Sequence, residues 1–346
     1  FSGGSQGADL VLTMTAATPT AAQINAIAQR VTFRNTSDNP NTGTRTVAFR
    51  YASGTLVGSN TKDVTITAVN DAPTLGNSGT VNYTENNTTA PFDVPVLLHS
   101  AGTIADVDSA DLNTGVLTVT ITANGTSNDR LSIVAGTPSG FLAVSTSGSN
   151  VLYGGSVVGT FTGGTGTTPL AITFNSALAT PVAATAILRQ IGFATLGDSP
   201  STLTRTIQYS LTDGDGGTLT PPATGAVTVT GVDDPPAFQT LPSAAVPENQ
   251  AFVGQYLAID PEGQTVTYSV SGTDASRFTI DASGNLSFKT TPVNYTPDYE
   301  NPTDANSDNV YELTVTATAG GVPTSTNVSV SVTPVNEFAP QLTGSL

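Results

Sequence analysis

Short runs of alternating apolar and polar residues recur along the whole chain. In 265–270, 310–317 and 327–332, every second residue is Val, Leu, Tyr or Ala, and most of its neighbours are Thr, Ser, Asn or Glu. A period of two places one face of a strand in a core and the other in water. With a hairpin predicted over 278–288 and strands near 245–250 and 255–259, residues 235–337 hold seven strands, the number of an immunoglobulin-like sandwich.

Two segments follow the helical period instead. Ile24, Ile27 and Val31 recur at spacings of three and four, and 180–191 repeats the arrangement. Thr18 and Thr180 are the predicted N-caps, because each is followed by a proline suited to a first helical turn. We therefore expect one short helix in each of two units of an otherwise all-β chain.

The chain repeats itself at a distance of 160 residues (204 − 44). "TRTVAF" (44–49) recurs as "TRTIQY" (204–209), and "AIAQRVTF" (26–33) recurs as "AILRQIGF" (186–193). Residues 1–72 match only the second half of the unit that follows, and they have no counterpart of 76–160. A lone half sandwich exposes strand edges and half a core. We expect either that the chain is a fragment or that a partner completes its first unit.

Three similar linkers divide the chain. "TITAVNDAPTL" (65–75), "TVTGVDDPPAF" (228–238) and "SVTPVNEFAPQL" (331–342) each join an alternating strand to polar or acidic residues and a proline. Proline ends a strand ladder because it lacks the N–H donor. The prediction is an all-β chain of tandem immunoglobulin- or cadherin-like β-sandwich modules in an elongated array: a partial module at 1–72, complete modules at 73–234 and 235–337, and the start of another at 338–346.

Charge and composition exclude several functions. The net charge is −16, and the only lysines are Lys62 and Lys289, which argues against a nucleic-acid partner. No apolar run approaches the ~18 residues of a membrane helix, so no membrane insertion is predicted. The chain has no Cys or Trp, and one histidine, His99. It carries no phosphate loop, zinc spacing or hydrolase elbow. We predict that it is not an enzyme.

The acidic residues of the third unit gather at predicted strand ends. They lie in "PEN" (247–249), "DPEG" (260–263), "DYE" (298–300) and "PVNEFAP" (334–340). Ca²⁺ takes six to eight oxygens from carboxylates, amides and backbone carbonyls. A linker between two sandwiches can supply such oxygens from both sides.

These elements resemble those of the cadherin repeats, especially the cadherin-like tandem repeats of large bacterial surface adhesins. The resemblance covers 237–342 well. It is weaker in the second unit, at "YTENN" (83–87), "ADVDSADL" (105–112) and "LTDGDGG" (211–217), and only the linker of the first unit shares it. In that family the elements bind Ca²⁺ where modules meet.

The resemblance implies three junctions with Ca²⁺ as the ligand. The first junction comprises Asn70, Asp71, Asp106 and Asp108. The second junction comprises Glu85, Asp233, Asp234, Asp260 and Glu262. The third junction comprises Glu248, Asp298, Glu300, Asn336 and Glu337. Glu262 and Glu337 stand where the family usually has Asp, so we expect one or two ions per junction.

Other acidic segments have simpler interpretations. "DGDGG" (213–217) and "DASGN" (281–285) favour tight turns, since Asp-Gly and Gly-Asn pairs suit them. Asp304 and Asp308 fit either a polar loop or a loop near a cation.

The leading functional hypothesis is an extracellular, cell-surface stalk or adhesin segment whose linkers bind calcium to stiffen a rod and support cell adhesion. Its partners would be calcium ions and neighbouring modules of the same or identical chains. One alternative is a subunit of a self-assembling fibre, sheath or surface layer, completed by strand donation. Another is a module that binds a cell-surface glycan or protein through Tyr153, Tyr295 or Tyr299.

Overall fold

The structure is a computed structural model of the 346-residue chain. It describes residues 1–5, 7–15, 18–85, 94–241 and 244–337. The fourth module expected at 338–346 lies outside the described residues, as do positions 86 and 87 of "YTENN". We use first, second and third unit for 1–72, 73–234 and 235–337, boundaries that remain our interpretation.

The chain is almost entirely β. The first unit contains α1 (Ala21–Ala28), β1 (Arg45–Ser53) and β2 (Leu56–Val64). The second unit contains β3 (Thr74–Leu75), β4 (Thr80–Thr84), β5 (Val96–Leu97), β6 (Ile104–Ala105), β7 (Val116–Ala123), β8 (Asp129–Ile133), β9 (Val144–Ser147), β10 (Asn150–Tyr153), β11 (Ser156–Thr162), β12 (Leu170–Phe174), α2 (Pro181–Leu188), β13 (Ile191–Thr195), β14 (Arg205–Leu211) and β15 (Ala223–Thr230). The third unit contains β16 (Ala237–Phe238), β17 (Ala245–Pro247), β18 (Phe252–Gln255), β19 (Ala258–Ile259), β20 (Thr267–Ser271), β21 (Phe278–Ile280), β22 (Asn285–Phe288), β23 (Val310–Ala319) and β24 (Val322–Thr333).

The second unit packs a large sheet against a small one. The large sheet has the order β4-β15-β14-β7-β12-β11-β10-β9, and the small sheet has the order β5-β13-β8. Their inward residues form one core with α2, which contributes Ile187 and Leu188. β4 runs parallel to β15, while the other strand pairs of the two sheets are antiparallel.

The third unit repeats this plan, with seven of its nine strands in two facing sheets. A four-stranded sheet, β17-β24-β23-β20, faces a three-stranded sheet, β18-β22-β21, and a short β16–β19 pair lies outside both. Phe278, Phe288 and Tyr311 meet in the core, with ring centroids 4.3 to 5.8 Å apart. The predicted all-β fold of tandem sandwiches is confirmed, and the alternation of β23 and β24 matches their burial.

The helices confirm one predicted cap and correct the other. Thr180 caps α2, and Pro181 occupies its first turn. α1 is capped by Thr20, whereas the sequence suggested Thr18. Thr20 is the N-cap because it forms a reciprocal capping box with Gln23, which satisfies two backbone donors.

The first unit does not form a sandwich within its described residues. β1 and β2 pair only with each other. α1 has no buried residue, although its counterpart α2 buries six of its eight residues. The expected exposure of half a core is therefore present.

Candidate metal centres

The second junction brings a linker of one unit onto a loop of the next. Asp233 and Asp234 follow β15, and Asp260 and Glu262 follow β19. The backbone N–H of Asp234 donates to Glu262 Oε2 at 3.2 Å. Asp233, Asp260 and Glu262 each offer a carboxylate oxygen within 4.8 Å of the other two. Residues about 27 positions apart thus form one acidic cluster (260 − 233 = 27).

Three oxygens of this junction are buried without a hydrogen-bond donor. They are Oδ2 of Asp234, Oδ2 of Asp260 and Oε1 of Glu262. Asp234 is 8% exposed and Asp260 is 3% exposed, so both carboxylates are largely removed from bulk solvent. A buried ionised carboxylate without a partner is costly. A cation held among these oxygens would remove that cost.

The electrostatics agree with an excess of negative charge. Burial raises the pKa of Asp234, and the nearby charges of Asp198, Asp233 and Asp260 raise it further. Burial also raises the pKa of Glu262, against the lowering effect of the bond from the Asp234 N–H. In the part of the chain that the structure describes, no Lys or Arg forms an ion pair with Asp234, Asp260 or Glu262.

Two further residues lie against the linker at this junction. Glu85, at the end of β4, accepts the N–H of Val232 through Oε2 at 3.0 Å. Gly320, in the β23–β24 turn, lies against Asp233, where an added Cβ would come within 2.1 Å of Oδ2. Gly320 has φ +56°, so the site needs a glycine for both space and conformation. A cleft of about 330 Å³, bordered by Glu85, Asp233 and Glu262, opens here.

The third junction is arranged differently. Glu248 is buried, and its carboxylate accepts the N–H of Val335 at 2.6 Å and that of Tyr299 at 2.8 Å. These two bonds lower its pKa, and a bond with Glu300 adds to the effect. The linker and the loop before β23 are therefore already tied together by this one side chain.

The other predicted residues surround Glu248 unevenly. Asp298 and Glu300 are exposed, and each offers an oxygen within 4.8 Å of the Glu248 carboxylate and of the other. A backbone bond lowers the pKa of Glu300, but partial desolvation and the charge of Glu248 outweigh it and raise the pKa overall. Glu337 accepts a bond from Asn249, and Asn336 is exposed.

The first junction is assembled only in part. The N–H of Asp71 donates to both oxygens of Asp108, at 3.3 and 3.2 Å. Asp106 accepts the N–H groups of Asp108 and Ser109, and its Oδ2 is buried without a donor. Asn70 instead donates to Asp213, at 2.7 Å. Among the described residues, no group of three close carboxylates forms at this junction.

Two acidic residues belong to these junctions that the sequence did not assign. Asp213 is buried and accepts a hydrogen bond from the side-chain amide of Asn70. It also accepts the N–H groups of Asp215 and Gly217. It therefore serves the turn predicted for "DGDGG" and the junction together. The sequence feature that could have singled out Asp213 is that the aligned residue of the first unit, Ser53, lacks a carboxylate. Asp198 raises the pKa of Asp234 from a loop that no local motif connects with the linker.

The remaining acidic segments have structural roles. Asp281 accepts the N–H groups of Ser283 and Asn285, which confirms the predicted turn. Asp304 is buried and accepts those of Asp308 and Asn309. These bonds favour the polar-loop interpretation of that segment.

The donor set of the second junction fits Ca²⁺. Hard cations prefer carboxylate and carbonyl oxygen, and this cluster contains neither His nor Cys. The single histidine stands elsewhere: Nε2 of His99 is 3.0 Å from the carbonyl oxygen of Gly76, and its ring packs beside Tyr209. That environment is structural.

Comparisons with known proteins find likeness in structure alone. No family model matches the chain, and no curated protein matches it. Mouse cadherin-23 EC22–24 is similar at 17% identity and TM-score 0.32, covering 84% of this chain and 74% of its own. The human desmocollin-1 ectodomain is similar at 17% identity and TM-score 0.33, covering 86% of this chain and 48% of its own. Drosophila N-cadherin EC1–3 is similar at 18% identity and TM-score 0.26, covering 81% and 74%.

At these identities and TM-scores, the likeness assigns neither a ligand nor a partner to this chain. In the described residues, neither α1 nor α2 has the length and apolar character needed to cross a bilayer.

Proposed function

We propose that the chain is a non-catalytic segment of an extracellular stalk in which Ca²⁺, bound where neighbouring sandwiches meet, fixes the angle between them and supports adhesion. One observation carries this proposal: at the second junction Asp234, Asp260 and Glu262 each have a buried oxygen without a donor, and Asp260 and Glu262 also form a close carboxylate group with Asp233. The cadherin-like motifs at the same positions point to the same ligand. Extracellular modules of this kind bind Ca²⁺ at about 10⁻⁴ to 10⁻³ M.

The cation would change the balance of forces at the linker. Without it, the charges of Asp233, Asp234 and Asp260 repel one another, and this repulsion adds to the burial that raises the pKa of Asp234. The bond between Glu85 and the Val232 N–H then remains to hold the linker. With the cation bound, these carboxylates attract a common centre and draw the loop after β19 onto the linker. At ~10 mM Ca²⁺ and a Kd of ~1 mM, one site adds about 1.4 kcal/mol to the free energy of unfolding.

The junctions would contribute unequally. The second junction supplies the most oxygens that lack protein donors, so its Asp234, Asp260 and Glu262 are the proposed principal ligands. At the third junction, Glu248, Asp298 and Glu300 would bind after part of the charge is already stabilised by backbone N–H groups. At the first junction, Asp106 and Asp108 are the proposed ligands, with Asp213 beside them.

Small-angle X-ray scattering of the whole chain tests the proposal. We expect Ca²⁺ at 10 mM, compared with chelator, to lengthen the particle and extend the distribution of interatomic distances to a larger maximum. The double variant Asp260→Asn with Glu262→Gln should lose this response. Glu312→Gln is the matched control, because it removes a charge from the exposed face of β23. Identical scattering with and without Ca²⁺ in the parent chain would contradict the proposal.

The glycan-binding alternative receives no support from the side chains it needs. Tyr153 and Tyr295 are partly buried and pack against the two cores. Only Tyr299 of the three tyrosines is exposed. A single exposed ring does not make a sugar platform, so we do not propose this function.

A further inference from the structure

The first unit and the back half of the second unit share their local geometry residue by residue. At an offset of 160, "FSGG" (1–4) matches "FTGG" (161–164). Gly3 and Gly163 have φ of +75° and +78°, and Gly4 and Gly164 have φ of +85° and +84°. A Cβ on Gly3 would meet the carbonyl oxygen of Asp9, and one on Gly163 would meet that of the aligned Pro169. Both segments therefore form the same tight turn.

The same arginine makes the same backbone bonds in both units. Nη1 of Arg45 donates to the carbonyls of Asn41 and Gly43. Nη1 of Arg205 donates to those of the aligned residues 201 and 203. An antiparallel hairpin follows in both units, with Arg45 opposite Val64 and Arg205 opposite Val227, and its turn is three residues longer in the second unit (22 − 19 = 3).

The first unit differs from the back half of the second unit in the segments 10–14 and 31–35, whose counterparts pair with the front half of a module. β12 pairs with β7 and β11, and β13 pairs with β5 and β8, all of which lie in 76–162. Their counterparts in the first unit, 10–14 and 31–35, are not strands. β1 and β2 persist because they pair with each other. The backbone of the first unit is thus arranged for strands whose partners are not among the described residues.

The side chains show the same deficit. Phe33 is 48% exposed, whereas the aligned Phe193 is completely buried and meets Tyr83 edge to face. Arg205 forms a fully buried ion pair with Asp129 of the front half, at 3.1 Å. No carboxylate in the described part of the chain pairs with Arg45. The face left open therefore includes α1 and the exposed ring of Phe33, with Arg45 at its edge.

We propose that this face packs against a polypeptide segment with the fold of residues 76–160, carrying a carboxylate that pairs with Arg45 as Asp129 pairs with Arg205. The second unit defines what the occupant must supply. The occupant provides strands for both edges of 31–35, a strand beside β1, and one buried acid. A single donated strand covers only one of these edges. A second copy of this chain has its own 76–160 segment already engaged by its own back half.

An extended chain supplies the occupant at high effective concentration. Residues 74–160 are copied directly before Phe1, which places the copy of Asp129 at the 76-residue separation found between Asp129 and Arg205. We expect amides of α1 and β1 to exchange with deuterium on the order of 100-fold more slowly than in the parent chain. The substitution Asp129→Asn in the copied segment should remove most of this protection, because it leaves the buried guanidinium of Arg45 unpaired. Arg45→Met added to that extension should restore part of it.

A chimera guards against an extension that fails to fold. Residues 161–227 of the second unit are replaced by residues 1–64, so that the existing front half meets the first unit's back half. We expect a cooperative thermal transition and slow exchange in the transplanted α1. The proposal is overturned if α1 exchanges as fast in both variants as in the parent chain. It is equally overturned if a peptide copying β7 alone gives full protection, or if protection in the parent chain rises with its own concentration.

Discussion

The second and third junctions contain similar carboxylates but satisfy them in different ways. At the second junction, Asp234, Asp260 and Glu262 each keep a buried oxygen without a donor. At the third junction, both oxygens of Glu248 accept backbone N–H groups. Burial raises the pKa of Asp234, while hydrogen bonds lower the pKa of Glu248. The count of acids is therefore a poor guide to which junction depends on a cation.

The difference separates two ways of holding a linker. A carboxylate with backbone donors stabilises the linker in the absence of any ion. A cluster in which several buried carboxylate oxygens lack donors destabilises the linker until an ion binds. We infer that the third junction is partly built by the protein alone, and that the second is the one that responds to Ca²⁺.

The largest effect is expected from Glu248→Gln. The amide keeps one acceptor but directs an NH₂ group towards the other backbone N–H, so one bond is lost and a buried donor is left unsatisfied. The melting temperature of the third unit should fall by several degrees in chelator and in Ca²⁺ alike. Calorimetry of this variant beside Glu312→Gln checks it. A fall seen only in Ca²⁺ would make Glu248 a ligand with no role of its own in the linker.

A smaller effect is expected from Asp260→Asn. The amide oxygen can still accept the N–H of Gln264, which Asp260 accepts at 2.8 Å, but one negative charge of the cluster is gone. In chelator the variant should melt at or above the parent's temperature, because repulsion with Asp234 is relieved. In 10 mM Ca²⁺ it should lose the gain of about 1.4 kcal/mol expected for a site of ~1 mM. Thermal unfolding with equal Ca²⁺ responses in both proteins would count against the site.

Asp234 and Glu262 of the second junction should respond to pH in the opposite direction to Glu248 of the third junction in chelator. The raised pKa values of Asp234 and Glu262 mean that their protonated forms favour the fold. Their contribution is complete below the ordinary values, about 4, and is lost as pH rises through the raised ones. The lowered pKa of Glu248 gives stability above about 4.3 that is lost as pH falls.

Melting curves from pH 3 to 7 separate the two contributions. Relative to Asp234→Asn, the parent chain should lose stability as pH rises. Relative to Glu248→Gln, it should gain. Parallel curves for all three proteins would show that neither carboxylate has the environment described here.

The smallest effect concerns Asn249, which adjoins Glu248 and has φ +66°. Asn249→Gly removes its bond to Glu337 but suits the left-handed conformation, so we expect a change within about 0.5 kcal/mol. Asn249→Ala places a Cβ in that conformation and should cost about 1 kcal/mol. Chemical denaturation of the pair measures the difference. A larger loss for Gly than for Ala would mean that the side-chain bond, not the backbone, fixes this corner.

The sequence predicted the sandwiches and the positions of the acids, because alternation and short motifs are local features. It could not predict which oxygens have donors. The N–H groups that reach Glu248 come from residues 51 and 87 positions away, and they meet it only in the folded unit. Asp213 and Asp198 escaped assignment for the same reason. The cap at Thr20 depended on Gln23, three residues on, in a Thr-Pro-Thr sequence that offers two capping residues.

Anomalous diffraction from crystals grown in 10 mM Ca²⁺ would locate a cation at the second junction. We expect a peak there, with oxygens of Asp234, Asp260 and Glu262 at about 2.3 to 2.6 Å from it. We also expect the peak to disappear in Asp260→Asn with Glu262→Gln. A map without a peak there, with these three carboxylates turned apart and bonded to water, would contradict a calcium-dependent second junction.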